Sequence, residues 1–315
     1  MPPLGEMRSG RASPGQYRTP GRSGPGGILP RVSERERWVP LSMTLAGIPL
    51  RGVSIAGRET WFHVPSLDLA LDVGRSPAEI LPAPNVFLSH AHLDHAGGLA
   101  YWASQRRLLR LPPARVFTDP AAVPAWNRIL ELHAGLEGVA YQVSVEGLAP
   151  GASVTLRKDL SVSAFRADHR VPTVGFVASE VRRRLLPGWQ GRPEEEIRGA
   201  ILAGEEVTRL SPRPLLAFSG DTGAGVFASA PREAFEAKVL LLECSFVEPE
   251  DLRRARDYGH LHVDDVAERA DLFANEALVL THLTLRSTPG ELRRTIARRL
   301  PAALAARTVL FLPPE

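Results

Sequence analysis

Residues 89–99 read SHAHLDHAGGL. The chain has nine histidines, and three of them, with an aspartate, fall within positions 90–95. So dense a set of nitrogen and oxygen donors marks a metal site. It also limits what the backbone can do around it. His90 and His92 are two residues apart, a spacing that points both imidazoles to one side of an extended chain. Asp94 and His95 follow on a loop that enters a helix at Ala96–Gly98, where glycines let the backbone run close to the site. A strand must therefore end just before this motif, and a helix must begin within it. Two donor sets separated by such a turn can serve two adjacent ions. Histidine and aspartate with no soft ligand argue for Zn²⁺, with Mn²⁺ and Fe as open alternatives.

A pair of ions needs more than four ligands. His169 in RADHRVPTVGF, Asp221 in FSGDTG and His282 in VLTHLT supply further donors. Each alone is weak, since a lone histidine is more often a satisfied structural residue; what joins them is their place in the pattern. Four short apolar runs, NVFLS, PLLAFSG, KVLLLE and ALVLT, suit buried strands. They end beside His90, Asp221, Glu243 and His282. Two earlier stretches, IPLRGVSIAGRETWFHV and LDLALDVG, read as β-rich segments split by glycine turns. Helical patterns cover 97–111, 120–136, 263–275 and 288–304. The class is α/β, and polar groups gathered at strand ends are what a rigid sheet offers a site. No internal repeat is evident. Cys244, next to Glu243, reads as a packed core thiol.

Composition decides fewer questions. The 315 residues are 44% hydrophobic and 23% charged, enough for a sizeable core. No run of apolar residues is long enough to span a membrane. The net charge is +3, but residues 1–42 hold seven arginines and three glutamates, so the remainder is slightly acidic. A nucleic-acid partner must then be argued from local patches, not bulk charge. Residues 1–40 contain seven prolines and seven glycines. That composition predicts a disordered Pro/Gly/Arg-rich extension over 1–42, either dispensable or an arginine tail that helps hold RNA, before a domain over 43–315. The single cysteine excludes an intrachain disulfide, and no apolar signal segment follows the N-terminal arginines. The expected compartment is reducing, the cytoplasm.

The motifs SHAHLDHAGGL, FSGDT and THLTLRST resemble the metallo-β-lactamase fold in its ribonuclease Z branch, above all the short plant-type form. PSLDLALDVGRSP, LRKDLSVSAF and ARDYGHLHVDDV also have counterparts there, and the resemblance runs from Leu45 to Leu312. It implies a four-layer αββα sandwich with a dinuclear zinc cleft at one edge. His90, His92 and His169 would hold one Zn²⁺; Asp94, His95 and His282 would hold the other; Asp221 would bridge. Asp94 would also orient the attacking water. The branch pairs a glutamate with a downstream histidine, which implies Glu243 in LECSF and His260 in YGHLH, with His262 the rival. Leu242 stands where the branch has histidine. Thr284 and Arg286 keep a hydroxyl and a cation suited to a substrate phosphate, and His63 and His133 match no functional position.

The resemblance further implies a precursor tRNA substrate and a homodimer in which one subunit's arm grips RNA for the other. The interval 181–214, where that arm lies, is short here; it holds the basic triplet Arg182–Arg184 and then an acidic PEEE. Basic faces at Arg253, Arg254 and Arg256, and at Arg293, Arg294, Arg298 and Arg299, read either as phosphate contacts or as solvated surface. Two other functions fit the motifs: a hydrolase of this fold acting on another phosphodiester or ester, and a non-catalytic RNA-binding module.

Overall fold

The computed structural model describes residues 39–312. Within them the chain forms two seven-stranded sheets. The first is laid down in chain order: β1 (Leu41–Leu45), β2 (Ile48–Ile55), β3 (Glu59–Val64), β4 (Leu69–Leu71), β5 (Asn85–Phe87), β6 (Ala114–Thr118) and β7 (Val143–Gly147). The second runs from β8 (Ser153–Arg157) through β9 (Leu160–Arg166), β10 (Val174–Leu185), β11 (Thr208–Phe218), β12 (Val239–Glu243) and β13 (Ala277–Thr281) to β14 (Thr308–Leu310). Each sheet pairs its first four strands antiparallel and its last four parallel. The topology therefore repeats, although the sequence does not.

Three apolar cores separate four layers. Phe62, Phe87, Phe117, Phe176, Phe218 and Phe311 fill the space between the sheets. Trp61, Trp102 and Trp126 lie between the first sheet and its helices Leu99–Leu108 and Val123–Glu137. Phe235, Phe273, Leu292 and Ile296 lie between the second sheet and its helices. This is the expected αββα sandwich. Strands β4, β5, β12 and β13 are buried along their whole length, as central parallel strands require.

Three boundaries differ from the sequence reading. Leu41 and Ser42, assigned there to the extension, are in β1, paired with Gly52 and Arg51; residues 1–38 of that extension lie outside the described residues. The helix expected over 263–275 ends at Ala267. Buried Asn275 is tied by its Nδ2 to the carbonyls of Ala234 (3.2 Å) and Ala237 (2.6 Å), which draws the chain out of the helix before β13. The pattern over 288–304 breaks into Pro289–Arg299 and Ala302–Ala305, because Pro301 cannot continue a helix.

Candidate metal centre

The site residues collect where strands end. Asp72 follows β4, His90 and His92 follow β5, and His169 follows β9. Asp221 follows β11, Glu243 ends β12, and His282 follows β13. The short helix Leu93–Ala96 begins inside the motif and carries Asp94 and His95. Gly98 lets this turn press against the Asp72 loop: a Cβ there would sit 2.4 Å from Ser76 N. The glycine thus serves the packing behind the site rather than an approach to the ions. The two sheets are stitched at this edge, with Val174 N donating to Ser89 O (3.0 Å) and His282 N to Ser54 Oγ (2.9 Å).

The structure brings together all seven expected ligands. Donor atoms of His90, His92, His169 and Asp221 lie within 4.8 Å of one another, as do those of Asp94, His95 and His282. Asp221 reaches both groups: Oδ2 is 3.6 Å from His90 Nε2 and 3.4 Å from His282 Nε2, and Oδ1 is 3.3 Å from His95 Nε2. Burial opposes charge on Asp94 and Asp221, but the surrounding imidazoles outweigh it and hold both carboxyls below their ordinary range. His282 and Asp72 are non-glycine residues at φ 57° and 55°. Such conformations cost about 1–3 kcal/mol and persist where neighbours fix them.

Hydrogen bonds behind the cluster fix its tautomers. Ser89 Oγ donates to Asp72 Oδ2 (2.9 Å), so it accepts from His90 Nδ1 (3.0 Å). Ser245 Oγ donates to Glu243 Oε1 (2.5 Å), so it accepts from His282 Nδ1 (2.8 Å). His95 Nδ1 donates to Asp72 Oδ2 (2.6 Å) and His169 Nδ1 to Gly259 O (2.9 Å). Four imidazoles therefore present Nε2 lone pairs to the cluster, the arrangement that partners behind a metal site impose. Burial, the largest cause, lowers the His90 pKa well below the usual range.

The donor set fits divalent metal. His95 Nε2 and Asp221 Oδ1 are buried and have no hydrogen-bond partner. Leaving such atoms bare costs about 1–3 kcal/mol each, and a cation between them removes that cost. His92 Nδ1 lies 3.0 Å from His90 Nε2 and 3.4 Å from His169 Nε2. Ligands on a tetrahedral Zn²⁺ with bonds near 2.05 Å are about 3.3 Å apart.

Glu243 and His260 form the expected pair, His260 Nδ1 donating to Glu243 Oε1 (3.0 Å). Glu243 is buried and also accepts from Ser245 N (2.9 Å) and Leu261 N (2.8 Å). Burial lowers the His260 pKa, but the Glu243 carboxylate more than reverses this and leaves it raised. His262 is a helix cap: its Nδ1 accepts from Asp264 N (3.2 Å) and its Nε2 donates to Glu248 O (3.0 Å). Arg286 pairs with Asp251 (3.1 Å), and Thr284 N donates to Ser245 O (3.1 Å). Cys244 is buried in the helix-side core, His63 is half-buried in β3 and His133 is exposed. Arg253, Arg254, Arg256 and Arg299 pair with Asp257, Asp251, Asp265 and Asp264.

Sequence reasoning did not single out Asp72, Ser89 or Ser245. The signal for Asp72 was an aspartate closing an apolar run in LALDVG; for the serines, a hydroxyl beside His90 and Glu243 was all there was.

Residues 64–283 match the Beta-lactamase superfamily domain. The tRNase Z TRZ1 of Arabidopsis thaliana is 32% identical over 268 residues, covering 84% of this chain and 95% of the relative. The chloroplastic tRNase Z TRZ2 of the same plant is 31% identical, covering 84% of this chain and 75% of the relative. Among solved structures, the metallo-beta-lactamase fold protein YhfI from Bacillus subtilis superposes with a TM-score of 0.56 at 14% identity, covering 86% of this chain and 96% of that one. With its two sheets, its strand-end cluster and these relatives, the chain belongs to the tRNase Z family of the β-lactamase superfamily.

Proposed function

We propose that this protein is a metal-dependent endoribonuclease that removes the 3′ trailer from precursor tRNA. One observation carries the reading. Asp221 lies 3.6 Å or less from imidazoles of both metal groups, and within 4.8 Å of Asp221 and His282 stands His260, whose Nδ1 is bonded to the buried Glu243. A hydrolase that needed only an activated water would have no use for that pair. An enzyme that expels a ribose 3′-oxygen needs a proton donor. Relatives named tRNase Z support the choice of substrate.

His90, His92, His169 and Asp221 would hold one ion, and Asp94, His95, His282 and Asp221 the other; the all-nitrogen-and-oxygen donor set favours Zn²⁺. Bound there, two divalent ions would acidify water and neutralise charge building on the phosphate oxygens. Asp94 orients the attacking water and accepts its proton as the new P–O bond forms. His260, charged and aligned by Glu243, donates from Nε2 to the 3′-oxygen as the P–O3′ bond breaks. The products are a tRNA ending in a 3′-hydroxyl and a trailer with a 5′-phosphate.

The same family reading makes the protein a homodimer, and the lone buried Cys244 suits a reducing, cytoplasmic setting. No helix among the described residues is long and apolar enough to cross a membrane. The test is direct: zinc-loaded protein should cut a 3′-extended precursor tRNA once, at the end of the acceptor stem, and chelator should abolish the cut. An intact precursor with zinc-loaded protein would reject the proposal.

A further inference from the structure

Most arginines near the cleft are paired with carboxylates. Arg170 is different. It follows the candidate ligand His169, is exposed, and has an aromatic ring for its neighbour. Its guanidinium lies 5.9 Å from the ring centroid of Tyr258. Tyr258 ends the helix Leu252–Tyr258, two residues before His260, and is 50% exposed. Between them stands Gly259 at φ 70°. Its carbonyl accepts from His169 Nδ1, and a Cβ on it would sit 3.3 Å from Arg170 Cγ and 3.4 Å from that nitrogen. Glycine is therefore what lets the Arg170 loop lie directly on the Tyr258–His260 turn. The Tyr258 ring, the Arg170 guanidinium over it and the proton donor His260 are thus neighbours beside the cluster, where the His260 and His169 ring centroids are 5.1 Å apart.

We infer that Tyr258 and Arg170 form a base-stacking platform for the nucleotide whose 3′-oxygen leaves, the last nucleotide of the product tRNA. This rests on the function proposed above. The leaving oxygen must come within hydrogen-bond reach of His260 Nε2, which places its ribose on the His260 side of the cluster. A base attached to that ribose lies over the neighbouring exposed surface, and the nearest aromatic along the chain is Tyr258. An unpaired base at a strand end presents a π-face of its own, and stacking on tyrosine is tolerant of base identity. Arg170 can lie against the same base or meet the adjacent backbone phosphate.

The test uses zinc-loaded full-length protein. Tyr258→Ala should lower kcat/KM on a precursor tRNA about tenfold or more, mainly through KM. Tyr258→Phe should keep most of the activity, because the ring and not the hydroxyl does the stacking. Arg170→Ala should raise KM in the same direction. Zinc content and hydrolysis of bis(p-nitrophenyl) phosphate should stay unchanged in all three. A substrate with an abasic site at the nucleotide before the cut should be a poorer substrate for the wild type, and Tyr258→Ala should add little further loss on it. An equal Tyr258→Ala loss on the normal and abasic substrates would overturn the platform. So would a wild type indifferent to the abasic site, which needs no variant to fold. Wild-type cleavage with an unaffected Tyr258→Ala rate overturns the platform alone; no wild-type cleavage overturns the function and the platform with it.

Discussion

Asp94 serves two demands at once. It is a donor in one metal group, and it lies 3.5 Å from His282 Nε2 and 3.7 Å from His95 Nε2, with both imidazoles holding it ionised. Asp94→Ala should therefore bring bound zinc below two per chain and cut phosphodiester hydrolysis by at least about 100-fold. Elemental analysis beside turnover checks both. His260 should behave differently. Its Nδ1 is committed to Glu243, so His260→Ala should keep both ions while slowing precursor cleavage about 10²–10⁴-fold. Bis(p-nitrophenyl) phosphate expels a phenolate that needs little protonation, so its hydrolysis should fall far less. Lost zinc in this variant would make His260 a ligand instead, which its 4.8 Å reach to Asp221 and His282 allows. The donors that the structure brings together were legible because three of the nine histidines crowd into positions 90–95 and the other donors lie where apolar runs end. Their supports were not. Ser89 and Ser245 act through hydroxyls that become meaningful only once β5 and β12 place them behind His90 and His282.

Elements that end in the site matched the sequence reading best. The runs at 85–89, 238–243 and 277–281 became β5, β12 and β13 because an unbroken apolar run suits a strand covered on both faces. Helix ends were harder to read, since Asn275 acts through carbonyls about forty residues away in sequence. The first strand offers a test at this scale. A chain beginning at Val39 keeps the Leu41–Gly52 and Ser42–Arg51 pairs of β1, and a chain beginning at Met43 loses them. The shorter chain should melt lower, by about 2–4 °C if the lost pairing is worth about 1 kcal/mol. Equal melting temperatures would put the domain boundary at 43. Gly98→Ala should act more strongly. Its new Cβ meets backbone at Ser76 and Arg75, which cannot yield as a flexible side chain does. A loss of about 1–3 kcal/mol is expected, together with weaker zinc binding as the Asp72 loop shifts. Thermal melts and a zinc competition titration read the two effects.

At the scale of the whole molecule, two sheets of like topology face each other across an aromatic core, and the cluster sits on the edge where their loops meet. That symmetry was invisible in the sequence. A sheet asks only for apolar residues at buried positions, so two halves can share a topology with unrelated side chains. Because loops from both sheets supply ligands, bound metal should clamp the sandwich. Stripping zinc should lower the melting temperature by about 5 °C or more, and restoring it should recover the loss, since each site at 100 times its Kd contributes about 2.7 kcal/mol. The chemistry has a more direct test. Single-turnover cleavage of a 3′-extended precursor tRNA in ¹⁸O-labelled water, read by mass spectrometry, shows which bonds form and break. Water attacking phosphorus while His260 protonates the departing 3′-oxygen predicts one ¹⁸O in the trailer's 5′-phosphate and an unlabelled 3′-hydroxyl on the tRNA. A tRNA ending in a 2′,3′-cyclic phosphate, or in any labelled 3′-phosphate, would contradict it.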